Sequence, residues 1–116
     1  AGAPRPLSQL DGEMEPFHQL VLECAEELGL TLLPDLRLEG RSVRYFRRDD
    51  SEPYLMLDAK RRPARILLRC PSEILADDSG YVEPIRTTGV FRSVLRVPAQ
   101  YDRQILRRLL FIALRF

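Results

Sequence analysis

Apolar residues return every three or four positions near the start of the chain: Phe17, Val21, Cys24 and Leu28, with Leu20 and Ala25 widening the stripe. Glu23, Glu26 and Glu27 fall on the opposite side, so this stretch predicts an amphipathic helix. Asp11 or Glu13 is placed to cap it, Pro16 suits its first turn, and Gly29 offers the left-handed position that ends it. Residues 30–39 are apolar but interrupted by Pro34, which predicts a short edge strand in their first half. The period then changes to two. Val43 and Tyr45 point one way, Arg44 and Phe46 the other. Turn chemistry at 49–53 and again at 60–63 brackets strands over 54–58 and 65–69, and Pro71 stops the latter. Residues 72–75 suit one helical turn and 77–80 a loop, while Pro84 forbids a long element. Gly89 opens a strand over 90–97, closed by Pro98.

From Asp102 the helical period resumes, with Ile105, Leu106, Leu109, Leu110 and Ala113 as its core face. Phe111, Ile112, Leu114 and Phe116 carry the apolar surface most of the way round. A helix of that kind must be buried on nearly all sides, which one sheet does not achieve in so small a domain. Either the fold wraps it closely or another chain covers part of it. Phe111, Leu114 and Phe116 are then the expected partner contacts, in a homodimer or on a different protein. The element order predicts an α+β fold: two layers, a mainly antiparallel sheet with an N-terminal and a C-terminal helix. Residues 1–10, with prolines at 4 and 6, read as a flexible tail, and 11–116 as a single domain.

Composition adds limits. At 45% hydrophobic and 30% charged the chain is an ordinary globular sequence. Its net charge is +1, yet Lys60 is its only lysine, so nearly all its positive charge sits on arginine. Genome composition is the plain explanation of that bias; chemically, arginine brings a planar fork that suits carboxylate and phosphate. No apolar run reaches membrane-spanning length, and no signal-peptide core is visible at the N-terminus. The chain opens on Ala1 rather than Met, which fits either an added leader or a domain cut from a longer protein. Two cysteines make no disulfide framework, so a cytoplasmic compartment is expected.

Arginine recurs with a strand period. Arg65 and Arg69 flank Leu67, Arg92 and Arg96 flank Val94, and Arg44 and Arg48 flank Phe46. If helices cover the other side, one sheet face carries paired arginines on three strands. Arg44, Phe46, Arg65, Arg69, Arg92 and Arg96 are thus the candidate nucleic-acid-binding set, the arginines for phosphates and Phe46 or Tyr54 for base stacking. The plainer alternative, which weighs more, is a solvated face partly neutralised by Asp49, Asp50, Glu52 and Asp58.

Pro34-Asp35 followed by Leu57-Asp58-Ala59-Lys60 resembles the PD-(D/E)xK nuclease pattern. That resemblance implies Asp35 and Asp58 as ligands of a divalent metal and Lys60 as the residue that positions water or phosphate, with Glu23, Glu26 or Glu27 as an extra acid. Asp35, however, lies in a proline-interrupted segment, and Pro63 and a strand follow Lys60 where a helix is usual. His18, the only histidine, has no nucleophile beside it and reads as a surface or half-buried side chain; Cys24 reads as a buried thiol. No zinc spacing, Gly-rich phosphate loop or nucleophile elbow is present, so no catalytic residue, metal or cofactor is assigned.

A second resemblance covers about two-thirds of the chain. YLMLDAKRR, ARILLRCPSE, TGVFRSVLRVP and YDRQILRRLLFIAL follow one another as in small YjbR/MmcQ-type domains. It implies a helix, an antiparallel sheet and a closing helix, with DNA or another macromolecule as partner and no catalytic residues. The tryptophan frequent before the last strand of those domains is absent here.

Overall fold

The computed structural model describes residues 10–37, 40–60, 63–86 and 89–116. The elements run α1 (Glu15–Glu27), β1 (Leu32–Arg37), β2 (Ser42–Arg47), β3 (Leu55–Asp58), β4 (Arg65–Leu68), α2 (Ser72–Leu75), β5 (Val82–Pro84), β6 (Ser93–Arg96) and α3 (Arg103–Leu114). The strands form one antiparallel sheet in the order β1-β2-β3-β4-β6-β5. This is the α+β architecture expected from the sequence, with α1 and α3 at the two ends of the chain.

Both long helices form for local reasons. Pro16 sits in the first turn of α1, where its missing N–H costs nothing. At the other end Gly29 takes φ 69°, its N–H donates to the Glu26 carbonyl, and Leu30 N–H reaches back to the Ala25 carbonyl. That is the Schellman closure. The helix start differs from expectation: Asp11 bonds the Glu13 N–H in a preceding turn, and Met14 takes the N-cap position without a side-chain cap. In α3 the Asp102 carboxylate does cap, accepting from the N–H groups of Gln104 and Ile105.

The core lies between the helices and one face of the sheet. Val43, Tyr45, Leu55, Leu57, Ile66, Leu68 and Leu95 project from the strands into one cluster with Leu20, Val21 and Cys24 of α1 and Leu106, Leu109 and Leu110 of α3. Leu75 of α2 joins it. Among the described residues this burial also answers the question raised by the all-round apolar α3. Ile105, Phe111 and Ile112 are half-buried against the cluster, Leu114 is inside it, and Phe116 stays out at 54% exposure.

Three elements differ from the pattern reading. The strand expected over 90–97 is regular only over Ser93–Arg96. β5 was not expected: three residues ending in Pro84 pair with β6. β1 runs through Pro34 instead of stopping before it. The ladder explains both prolines. Arg41 accepts from Ala59, so alternate residues Val43 and Tyr45 of β2 direct their backbone groups to β3, and those of Arg44 and Phe46 turn to β1. Asp35 and Leu33 therefore bond inward, and Pro34 faces away from the sheet. In the same way Tyr81 accepts from Arg96 and Ile85 donates to Arg92, which turns Pro84 outward from β5. Each edge strand thus carries a proline where an incoming strand would need an N–H.

Candidate functional site

With both long helices on one side, the sheet's other face carries the residues of the opposite pleat. Direct pairing sets Asp35, Arg44, Met56, Leu67, Val94 and Glu83 in one row across the six strands. Arg37, Ser42, Asp58, Arg65 and Arg96 make the next. Leu33 pairs with Phe46 in a third. The structure therefore brings Arg44, Phe46, Arg65 and Arg96 onto one face, and Arg69 and Arg92 follow on the same pleat where β4 ends and β6 begins.

These arginines are engaged. Arg44 donates to Asp35 at 2.8 Å and lies over the Phe46 ring at 5.4 Å. Arg65 donates to Asp58 at 2.8 Å, and Arg96 to Glu83 at 3.0 Å. Arg69 is used up by the β2–β3 turn: it bonds the carbonyls of Glu52 and Pro53 and pairs with Asp50 at 3.1 Å. Arg92 donates to the Gly89 carbonyl. The arginines around Asp35 hold its carboxyl below the usual range against the opposing pull of burial, the larger single influence, which raises it. At Asp50 a backbone N–H from Glu52 is the largest influence lowering the carboxyl's pKa, with Arg69 and Arg47 also lowering it.

The nuclease residues are not brought together as a metal site. Asp35 on β1 and Asp58 on β3 share the face, but β2 lies between them and each is bonded to arginine. Asp58 is buried at 1% exposure and also accepts the Lys60 N–H at 3.0 Å, while Lys60 itself is exposed. Glu23 and Glu27 of α1 pair with Arg103 and Arg107 of α3, on the helix side of the molecule. Among the described residues no three His, Cys, Asp or Glu side chains gather closely enough to hold a metal.

His18 is neither at the surface nor half-buried, as the sequence suggests, but fully buried. It is 3% exposed, because α1 turns positions 14, 17, 18, 21, 24 and 25 all inward. Its Nδ1 lies 2.6 Å from the Tyr45 hydroxyl, a bond spanning α1 and β2. Burial lowers the imidazole's pKa despite the opposing charge of Glu15, and burial raises that of the phenol. Both groups are neutral at pH 7, an arrangement suited to joining two layers. Cys24 and Cys70 are buried, unpaired thiols whose pKa burial raises, the opposite of an activated nucleophile.

Two apolar recesses complete the surface. One, of about 570 Å³, is walled by Pro16, Phe17, Pro63, Val97, Pro98 and Tyr101. The other, of about 300 Å³, lies between α2 and the end of α3 and is lined by Ile74, Ile112, Arg115 and Phe116. Among the described residues the exposed large apolar side chains are Leu22, Leu33, Ile74 and Phe116, so two of the four meet there. The expectation of partner contacts at Phe111, Leu114 and Phe116 becomes narrower: Leu114 belongs to the core, Phe111 is half-buried, and Phe116 protrudes beside Ile74. Ile74 carries no helical-period signal over so short an element, which is why the sequence did not single it out. No helix among the described residues is long and apolar enough to cross a membrane. No family model, curated protein or solved structure matches this chain.

Proposed function

We propose that this chain is a non-catalytic protein-interaction domain that self-associates through the end of α3 and α2. The observation that carries the reading is the apolar recess where Ile74, 48% exposed, and Phe116, 54% exposed, meet around Ile112. Charge is compatible with a two-fold arrangement: Arg115 lines this recess and Glu73, the neighbour of Ile74, is exposed, opposite charges that two copies can set against each other. The proline-blunted edges β1 and β5 disfavour the alternative of assembly by sheet extension. A buried neutral histidine, buried thiols and dispersed carboxylates favour a binding role over an enzymatic one. A cytoplasmic location fits two thiols left unpaired. The likeness to YjbR/MmcQ-type domains belongs to the same proposal, since it too implies a binding domain.

Light scattering over a concentration series tests it. The chain is expected to move from monomer to dimer in the micromolar range, as suits a small patch, and Phe116→Asp to stay monomeric with an unchanged circular dichroism spectrum. A wild-type chain that remains monomeric at about 100 μM, which would put the dissociation free energy below about 5 kcal/mol, removes the reading.

A further inference from the structure

The open sheet face carries a second feature that self-association through α2 and α3 does not use. Leu33, Phe46, Met56, Leu67 and Val94 form an apolar band running slantwise over β1, β2, β3, β4 and β6. None of the five belongs to the main core cluster. Leu33 is 51% exposed, Phe46, Met56 and Leu67 are partly exposed, and Val94 forms the buried floor at 6%. Arg44, Arg65 and Arg96 line one side of the band, and Arg69 and Arg92, next after the end of β4 and before the start of β6, follow on the other. Along β4 and β6 and the residue flanking each, the two arginines stand four residues apart, so the rails are separated there by about 13 Å.

An α-helix with its side chains is about 10–12 Å across, and fits between such rails. We propose that this band docks an acidic amphipathic helix of a partner protein, apolar side down and carboxylates along both flanks. Five adjacent strands span about 19 Å, which about 13 helical residues cover. The charge on the rails is only partly cancelled within the chain: Arg65, Arg69 and Arg96 each pair with a carboxylate, Asp58, Asp50 and Glu83. Among the described residues Arg92 makes no ion pair, and Arg37 and Arg44 share the single carboxylate of Asp35. Asp35 and Glu83 lie near the two ends of the band, so basic residues suit the ends of the docked helix.

A nucleic acid is the other anionic candidate, and the floor disfavours it. Base stacking needs open aromatic faces, whereas the one aromatic here, Phe46, has Arg44 over its ring, and its neighbours are aliphatic. An aliphatic floor between cationic rails matches the side of a helix.

The test is selection from a displayed library of helical peptides with leucine fixed along one stripe and the flanking positions varied among Glu, Lys, Gln and Ser. Glutamate is expected to be enriched at both flanks. The best peptide is expected to lose at least about tenfold in affinity on Arg92→Glu, an exposed change outside the core, and to lose binding on Leu67→Asp. Flanks enriched in lysine or showing no preference overturn the proposal. So does equal binding to Leu67→Asp, or a single-stranded oligonucleotide that binds more tightly than any selected peptide in low salt. Circular dichroism of both variants confirms that each is folded.

Discussion

Asp58→Ala separates a structural from a catalytic role for the most buried carboxylate of the open face. In the native chain Asp58 Oδ2 accepts from Arg65 at 2.8 Å and Oδ1 from the Lys60 N–H at 3.0 Å, with the Asp58 side chain 2% and that of Arg65 27% exposed. Truncation removes both bonds. A hydrogen bond to a charged group contributes about 1.5–3 kcal/mol and a backbone N–H bond about 1 kcal/mol. The first figure belongs at its lower end, because Arg65 keeps enough exposure to find water once freed. The expected cost is about 2–3 kcal/mol, or a melting temperature lower by about 8–12 °C for a domain of this size. Asp58→Asn keeps the acceptor for Lys60 and is expected to lose about half as much. Thermal denaturation followed by circular dichroism, with and without magnesium, is the assay. A shift under about 2 °C for Asp58→Ala would show that the buried pair does not stabilise the sheet. Magnesium that raises the melting temperature of the native chain and not of Asp58→Ala would instead restore the metal-site reading.

Mild acidification is expected to weaken the fold through His18. Burial holds the folded His18 below its unfolded pKa of about 6.5, so its contribution is complete above that value and is lost as pH falls towards the folded one. Melting temperatures measured from pH 7.5 to 5.5 should decline, and His18→Gln should flatten that decline; an equal slope in both proteins refutes the assignment. Asp35 and Asp77, whose pKa values are also lowered, act only nearer pH 4 and below. Gly29→Ala is expected to cost about 1 kcal/mol in urea denaturation, purely from φ 69°, since nothing lies within 4 Å of the added methyl; no loss would contradict the closure described for α1. Replacing Pro34 and Pro84 together by threonine returns an N–H to each outer edge. Light scattering should then show assemblies larger than a dimer, and unchanged size would argue that the prolines do not guard the edges.

The elements legible in advance were those with a strong period. α1 and α3 carry their apolar stripes over three turns, and β2 alternates from Val43 to Phe46. The arginine face was legible for the same reason, since a two-residue period forces Arg65, Leu67 and Arg69 to one side whatever the strand's partners. What the period does not contain is pairing. Local chemistry says that Pro84 interrupts a strand; only its partner β6 shows that the missing N–H falls on the outer edge, where a strand tolerates it. Nor does spacing reveal that Asp35 and Asp58 are separated by a strand, or that each meets an arginine. The burial of His18 is not legible locally, because it sits beside Phe17 at the border of the stripe and the hydroxyl that satisfies it comes from Tyr45, twenty-seven positions away. Ile74 gives no signal in the sequence, because a four-residue helix has no period to read.

Self-association through α2 and α3 is tested most directly by exchanging the charges that flank the apolar recess. Glu73→Arg alone and Arg115→Glu alone each place like charges opposite one another across a two-fold contact, and sedimentation equilibrium should find each variant dimerising more weakly than the native chain by about fivefold or more. The double exchange returns opposite charges to both positions and should restore the native dimer. Single variants as dimeric as the native chain, or a double variant no better than either, would contradict the arrangement of Glu73, Phe116 and Arg115 proposed for the interface.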